Sequence, residues 1–174
     1  MIFRYCPLCG NLLVVNNEEG KLRPTCHRCG YVQYRNPTVG VAVIVMQSDQ
    51  ILLVKRLGSY EDKWCIPCGH VEWDEDIRDS AKRELKEETG LEVELGEVFD
   101  VHSNFHDQKH QTVGVWFWGK VVGGTLNPGS DAKETKFFRL DAISYEMMAF
   151  PTDLLVCKRL RMHLSDRMGK AISQ

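Results

Sequence analysis

Apolar positions along the chain follow two periods, and each change of period marks a new element. Thr38–Met46 is a dense run of small and β-branched residues, which predicts a strand buried on both faces. Gln47–Gln50 reads as a turn, and Ile51–Leu57 as the second strand of a hairpin. Gly58–Lys63 is a loop. From Ile77 to Thr89 the period becomes helical: Ile77, Ala81 and Leu85 form one stripe, and Gly90 closes the helix as a C-cap. Glu92–Asn104 and Gln111–Val122 predict two further strands, with a turn near Asp107-Gln108-Lys109. In the second of these, Val113, Val115 and Phe117 alternate with Gly114, Trp116 and Trp118, so both faces are covered. Gly123-Gly124 and Pro128-Gly129 mark a loop, and Glu134–Leu140 is a short strand. Pro151-Thr152-Asp153 opens a last helix, with Leu154, Cys157, Leu160, Leu164 and Met168 as its stripe and Thr152 or Asp153 as its cap. Strands before and after a central helix, with a terminal helix, predict an α/β fold with a mixed sheet between helices.

The first 36 residues do not share this pattern. Cys6-Pro-Leu-Cys9-Gly10 and Cys26-His-Arg-Cys29-Gly30 are two Cys-x-x-Cys knuckles separated by sixteen residues, a spacing that suits a four-cysteine zinc site. Each ends in glycine, which permits the tight turn that aims two thiolates at one ion. Four thiolates around zinc make a closed, structural site. Disulfides and free thiols are the alternatives, but paired knuckles are more specific than scattered cysteines. His27 lies between ligands and is expected to be exposed, not a ligand. Leu12–Val15 and Lys21–Thr25, joined by a turn over Asn16–Gly20, read as a hairpin, so this segment looks like a zinc ribbon. Tyr34-Arg35-Asn36-Pro37 is the linker, since Pro37 holds Asn36 extended. The expected domains are 1–36, the ribbon, and 37–174.

Charge and composition narrow the function. A formal net charge of −2 gives no broad attraction for nucleic acid or a membrane surface. No apolar run approaches the length of a membrane span. The opening Met-Ile-Phe-Arg-Tyr-Cys lacks the features of a signal peptide, so the expected location is the cytoplasm. Seven cysteines in that compartment call for metal more than for disulfides.

The chemistry concentrates between Gly69 and Leu91. On the helix, Glu87 and Glu88 fall on either side of Glu84, as surface neighbours three and four residues on. Glu88 lies inside the apolar stripe, where a plain amphipathic helix places Leu or Ala. A buried carboxylate is expensive unless a cation meets it, and clustered carboxylates suit a hard divalent ion such as magnesium or manganese. Arg83 is placed to pair with Glu87 or to reach back to Glu75 in the preceding loop. A solvated acidic helix is the plainer alternative; it does not account for Glu88 or for the glycines at both ends.

The stretch resembles the Nudix box: Gly69, five residues, Glu75, seven residues, then Arg83, Glu84, Leu85, Glu87, Glu88, Gly90 and Leu91. Cys68 stands where the family usually has the first glycine of Pro-Gly-Gly, and Asp74 where it often has glycine. Cys65 and Cys68 form a third Cys-x-x-Cys, but only Cys157 remains as a partner, so no zinc is assigned there. The resemblance implies an α/β/α sandwich and metal-dependent hydrolysis of a nucleoside diphosphate linked to another group. It places Glu84, Glu87, Glu88 and the Gly69 carbonyl on Mg2+ or Mn2+, and gives Arg83 and Glu75 the task of fixing loop against helix. It also calls for a carboxylate outside the box, for which Glu134 is the candidate and Asp131 its competitor. Arg56, with Lys55, is a candidate for a phosphate, a solvent-facing pair being the alternative, and Phe105 and Trp116 are candidates for stacking a base, with core packing the rival role for Trp116.

Among zinc-ribbon Nudix proteins, the NADH-cleaving group carries Ser-Gln-Pro-Trp-Pro-Phe-Pro after its box, whereas this chain has Asp100-Val-His-Ser-Asn-Phe-His-Asp-Gln-Lys. Its layout resembles the ADP-ribose/FAD group: Tyr-x-Asn-Pro linker, box, Asn127-Pro128-Gly129-Ser130 and Met148-Ala149-Phe150-Pro151. The expected activity is therefore release of a nucleoside monophosphate from a small nucleotide such as ADP-ribose or FAD. NADH, nucleoside triphosphates, and a non-enzymatic nucleotide or nucleic-acid binder are the alternatives. Many relatives dimerise, so a homodimer is compatible with the resemblance.

Overall fold

A computed structural model describes residues 3–129 and 131–172, with side chains in the last helix as far as Asp166. Ser130 and the side chain of Met168 lie outside the described residues. The chain divides into two compact units, Met1–Pro37 and Thr38–Gln174.

In the first unit, β1 (Val14–Glu18) and β2 (Lys21–Thr25) form an antiparallel hairpin. Its turn is narrower than the five residues expected. Glu19 and Gly20, at φ 52° and 81°, make the whole connection. Two successive left-handed residues match the twist of the flanking strands, so Asn16 and Asn17 stay in β1. The Asn16 Nδ2 donates to Thr25 Oγ1 at 2.6 Å.

The second unit contains β3 (Thr38–Gln47), β4 (Gln50–Arg56), β5 (Trp64–Cys65), β6 (Cys68–His70), α1 (Ile77–Thr89), β7 (Leu91–Asn104), β8 (Thr112–Gly124), β9 (Ala132–Arg139) and α2 (Pro151–Ile172). The sheet is mixed: β8 runs parallel to β3, and every other pairing is antiparallel. β3 and β4 pair only beside their turn, at Met46↔Ile51 and Gln47↔Gln50, and then diverge. Residues 64–70 fill the opening. β5 pairs with β4 at Val54 and Lys55, and β6 pairs with β3 at Gly40–Ala42. The Val43 N–H donates to the Pro67 carbonyl at 3.0 Å.

Strand alternation explains the unbroken apolar run of β3. Val41, Val43 and Val45 pack with Ala81 and Leu85 of α1 on one face. Ala42 and Ile44 pack with Val156, Cys157 and Leu160 of α2 on the other. The result is the expected layering of helix, mixed sheet and helix. Among the described residues no helix is long and apolar enough to cross a membrane.

The start of α2 corrects the expected cap. Pro151 is the first helical residue, where a missing N–H costs nothing. Thr152 and Asp153 therefore lie inside the first turn, and both are buried. The Thr152 hydroxyl donates to Asn104 Oδ1 at 2.6 Å. Asp153 accepts the Ile66 N–H at 3.0 Å on one carboxylate oxygen and the Trp116 indole N–H at 3.1 Å on the other. Burial pushes its carboxyl up to about 7, against the pull of those two donors and of Arg56.

Asp153→Asn should lower the free energy of unfolding by about 1–3 kcal/mol. The amide must turn a donor toward one of the two N–H groups. Urea unfolding at pH 8 measures the effect, and an unchanged midpoint would show that this double acceptor does not secure α2.

Candidate active site

Asp76 starts α1 by accepting the Arg78 N–H at 2.8 Å, and Gly90 ends it with φ 70° and an N–H donated to the Lys86 carbonyl. Between these caps Ser80, Ala81, Leu85, Glu88 and Thr89 are the buried side chains. Glu88 is thus a carboxylate on the core side of its helix, 2% exposed. Its Oε2 accepts the Cys68 N–H at 2.8 Å. Loss of solvent pushes the Glu88 carboxyl up to about 8; the charges of Asp131 and Glu84 act in the same direction, and the Cys68 N–H and Arg56 oppose them.

Arg83 joins the helix to the loop before it. Its Nε and Nη2 donate to the two Glu75 oxygens, both at 2.7 Å, and Nη2 also reaches the His70 carbonyl at 3.2 Å. These hydrogen bonds hold the Glu75 carboxyl down at about 2. Both pairings open to Arg83 in the sequence are made, because Nη1 lies 3.2 Å from Glu87 and 2.9 Å from Glu84. Gly69 lies directly against the Glu84 carboxylate, and a Cβ at position 69 would overlap it. Only glycine permits this approach of carbonyl-bearing backbone to carboxylate.

Glu84, Glu87 and Glu88 share a helix end, but their oxygens are not drawn together. Among the described residues the four-cysteine set is the one group of three or more metal-ligating side chains within mutual reach. Glu84 and Glu87 share the Arg83 guanidinium, and Glu88 turns to the Cys68 N–H. The donor chemistry still fits a hard cation, since Glu88 is strained by burial beside two more carboxylates.

Two expected site residues fall elsewhere. Glu134 is exposed and opposite Lys55 in the β4–β9 register. Alternation puts it on the Phe138 face, which packs with α2, whereas Phe137 packs with α1. Asp131, its competitor, is the carboxylate brought to the site: it raises Glu88 and lies 3.8 Å from the Arg56 guanidinium. Its loop is tied to the end of α1, where the Asn127 and Gly129 N–H groups donate to the Thr89 and Glu88 carbonyls. Trp116 is 3% exposed, with its indole N–H committed to Asp153, so it belongs to the core and has no face free for a base. Phe105 remains 69% exposed. Arg56 is part-buried: its Nε donates to the Ser59 carbonyl at 3.1 Å, its guanidinium lies over the Phe150 ring, and its Nη2 faces Asp131. The Cys68 N–H had no sequence signal, because a backbone donor leaves none. Two concavities of about 350 and 330 Å³, one beside Lys63 and Met148 and one beside Leu95 and Trp118, lie away from these carboxylates.

In the first unit, Cys6 and Cys29 sulfurs are 3.5 Å apart, as are Cys9 and Cys26. Thiolates around a tetrahedral ion with bonds of about 2.3 Å stand roughly 3.8 Å apart, so the four sulfurs could hold a metal ion. Burial works against the Cys26 thiolate, but the Cys29 and Arg28 N–H groups outweigh it and bring Cys26 down to about 6. His27 is exposed, as expected.

A family model described as NUDIX domain matches residues 36–157. An ADP-ribose pyrophosphatase of Methanocaldococcus jannaschii is 35% identical over 113 residues, which cover 64% of this chain and 67% of that protein. An NAD-capped RNA hydrolase NudC of Pseudomonas aeruginosa is 26% identical over 170 residues, 97% of this chain but 58% of the relative. A NUDIX hydrolase crystal structure from Nitrosomonas europaea superposes with a TM-score of 0.78 at 28% identity, covering 96% of this chain and 93% of that one.

The Glu88 shift has a stability consequence. Its carboxyl rises from 4.5 to about 8, so the folded chain keeps a proton that the unfolded chain has lost. The associated stability is full below pH 4.5, falls as pH rises, and is gone above about 8. Asp153 acts with the same sign between 3.8 and about 7. In chelator, urea unfolding from pH 7 to 8 should show a more negative slope of stability against pH in the parent chain than in Glu88→Gln, because Cys26, held down at about 6, contributes with the opposite sign in both chains. Equal slopes in the two chains would contradict the burial argument.

Proposed function

The chain belongs to the NUDIX family, and from that premise we propose that it hydrolyses the pyrophosphate linkage of a nucleoside diphosphate derivative of the ADP-ribose or FAD type. Glu88 carries the reading. A carboxylate buried beside Glu84 and Asp131 destabilises the fold unless a cation joins it. Glu84, Glu87, Glu88 and the Gly69 carbonyl would hold Mg2+ or Mn2+. Bound there, such an ion neutralises the diphosphate and acidifies a water.

The chain's own groups do the rest. Arg83 and Glu75 keep the 70–76 loop fixed against α1, so the carboxylates do not have to be ordered when substrate arrives. Asp131, and not Glu134, is the carboxylate from outside the helix. Arg56 offers a guanidinium to a substrate phosphate from beside Asp131. Water attacks one phosphorus, the bridging oxygen leaves, and a nucleoside monophosphate is released with a phosphorylated product. In the first unit, Cys6, Cys9, Cys26 and Cys29 hold structural Zn2+.

The relative named ADP-ribose pyrophosphatase supports this substrate class, as does the absence of the NADH-group segment after the box. The similarity to NudC over nearly the whole chain keeps NAD-type ends as the competing class. A panel of ADP-ribose, FAD, NADH and NAD-capped RNA, with magnesium and with manganese, separates them. AMP should be released fastest from ADP-ribose or FAD; preference for NADH or capped RNA would move the assignment to the NudC class. Glu88→Gln should lower kcat at least roughly 10²-fold while the circular dichroism spectrum is retained. Native mass spectrometry should find one zinc per chain, lost in Cys26→Ser; retention of zinc in that variant would remove Cys26 from the ligand set.

A further inference from the structure

Three aromatic side chains from three separate connections meet beside Arg56. Tyr60 comes from the loop after β4, His106 from the β7–β8 connection, and Phe150 from the residue before α2. Their ring centroids are 5.4 Å apart for Tyr60–Phe150, 6.0 Å for Tyr60–His106 and 5.8 Å for His106–Phe150. The two Tyr60 contacts are edge-on, at 71° and 63°, so Tyr60 is not stacked face to face on either neighbour. Tyr60 is 44% exposed, and His106 is exposed. Ordinary loop packing does not favour this arrangement. Tyr60 sits at φ 60°, a left-handed backbone that a bulky side chain adopts only at a cost. A fully buried aromatic cluster would offset that strain by burial, and this cluster is not buried.

The cluster is continuous with the catalytic side. Phe150 packs against the core group that contains Cys65 and, partly buried, Cys68, whose N–H holds Glu88. The Arg56 guanidinium lies 5.3 Å from the Phe150 ring centre, and the same charge acts on Glu88. Solvent-accessible aromatic rings, then a guanidinium, then a carboxylate set follow one another in space. That is the order of base, phosphate and metal along a nucleoside diphosphate. Stacking on an aromatic face holds any base, because every base has a π-face.

We propose that Tyr60, His106 and Phe150 form the subsite that stacks the nucleobase of the substrate, with Arg56 taking the adjoining phosphate. This rests on the hydrolase reading above and adds the residues that select a nucleoside over other diphosphates. Tyr60 and His106 are binding residues and not catalytic ones, so their loss appears in KM and in product affinity before kcat.

Calorimetry on the full chain in magnesium, with AMP and ribose 5-phosphate as probes, tests this without turnover. The parent chain should bind AMP more tightly than ribose 5-phosphate. Tyr60→Ala and His106→Ala should each weaken AMP roughly tenfold and leave ribose 5-phosphate unchanged, while Tyr60→Phe should keep AMP affinity. Parent-like AMP affinity in both alanine variants overturns the subsite, as does a parent chain that binds the two probes equally. If those variants lose AMP while the parent cleaves no diphosphate, the subsite stands and the hydrolase reading fails. If the parent cleaves diphosphates and the variants keep full AMP affinity, the hydrolase reading stands and the subsite fails.

Discussion

A carboxylate on the wrong side of its helix sets the terms for the rest of the second unit. Glu88 sits where α1 meets the sheet, with the Cys68 N–H as its hydrogen-bond donor. Every nearby feature serves that placement. Asn127 and Gly129 are tied to the end of α1, Asp131 lies near enough to raise Glu88, Arg56 supplies opposite charge, and Gly69 leaves room for the neighbouring Glu84. A leucine at position 88 would fit the stripe better and would remove the reason for this arrangement. Withdrawn from solvent, that carboxyl holds its proton well above the ordinary carboxylate range.

Arg83 and Asp153 solve related problems in different ways. Arg83 gathers Glu75, Glu84 and Glu87 at a partly exposed surface, where its charge is compensated by carboxylates and the loop gains a fixed path. Asp153 is withdrawn from water and, among the described residues, meets two N–H donors from Ile66 and Trp116 and no full countercharge at contact distance. The first holds the Glu75 carboxyl low, while the second drifts toward the neutral form. Burial, and not the number of hydrogen bonds, decides between them.

Much of this was legible in the sequence where local rules act alone. Ile77–Thr89 and its glycine cap depend on period and capping, and the helix has those bounds. The misplacement of Glu88 was visible as a polar residue in an apolar stripe. Structure and sequence pattern part where a neighbour far along the chain decides. Glu134 was favoured by its order in the chain, but one step of alternation in β9 sends it to the α2 face, and Asp131 reaches the site from the loop. Trp116 could have been a surface ring until Asp153, distant in sequence, claimed its N–H. Asp153 itself resembled a cap because Pro151 precedes it, and only the tertiary fold shows that the proline takes the first turn. The hairpin turn of the first unit is narrower than its residue types suggest, because Glu19, with φ 52°, adopts a conformation that its residue type does not advertise.

The divergence of β3 from β4 also bears on the sequence of events during folding. Two rungs beside the turn can form early, because they close a short loop. The remainder of that hairpin has no partner until residues 64–70 enter between the strands. The same segment carries the N–H that receives Glu88, so the acidic helix cannot seat its last carboxylate before the wedge arrives. One short segment thus closes the sheet and completes the acidic end of α1 together, so a change in it reaches both.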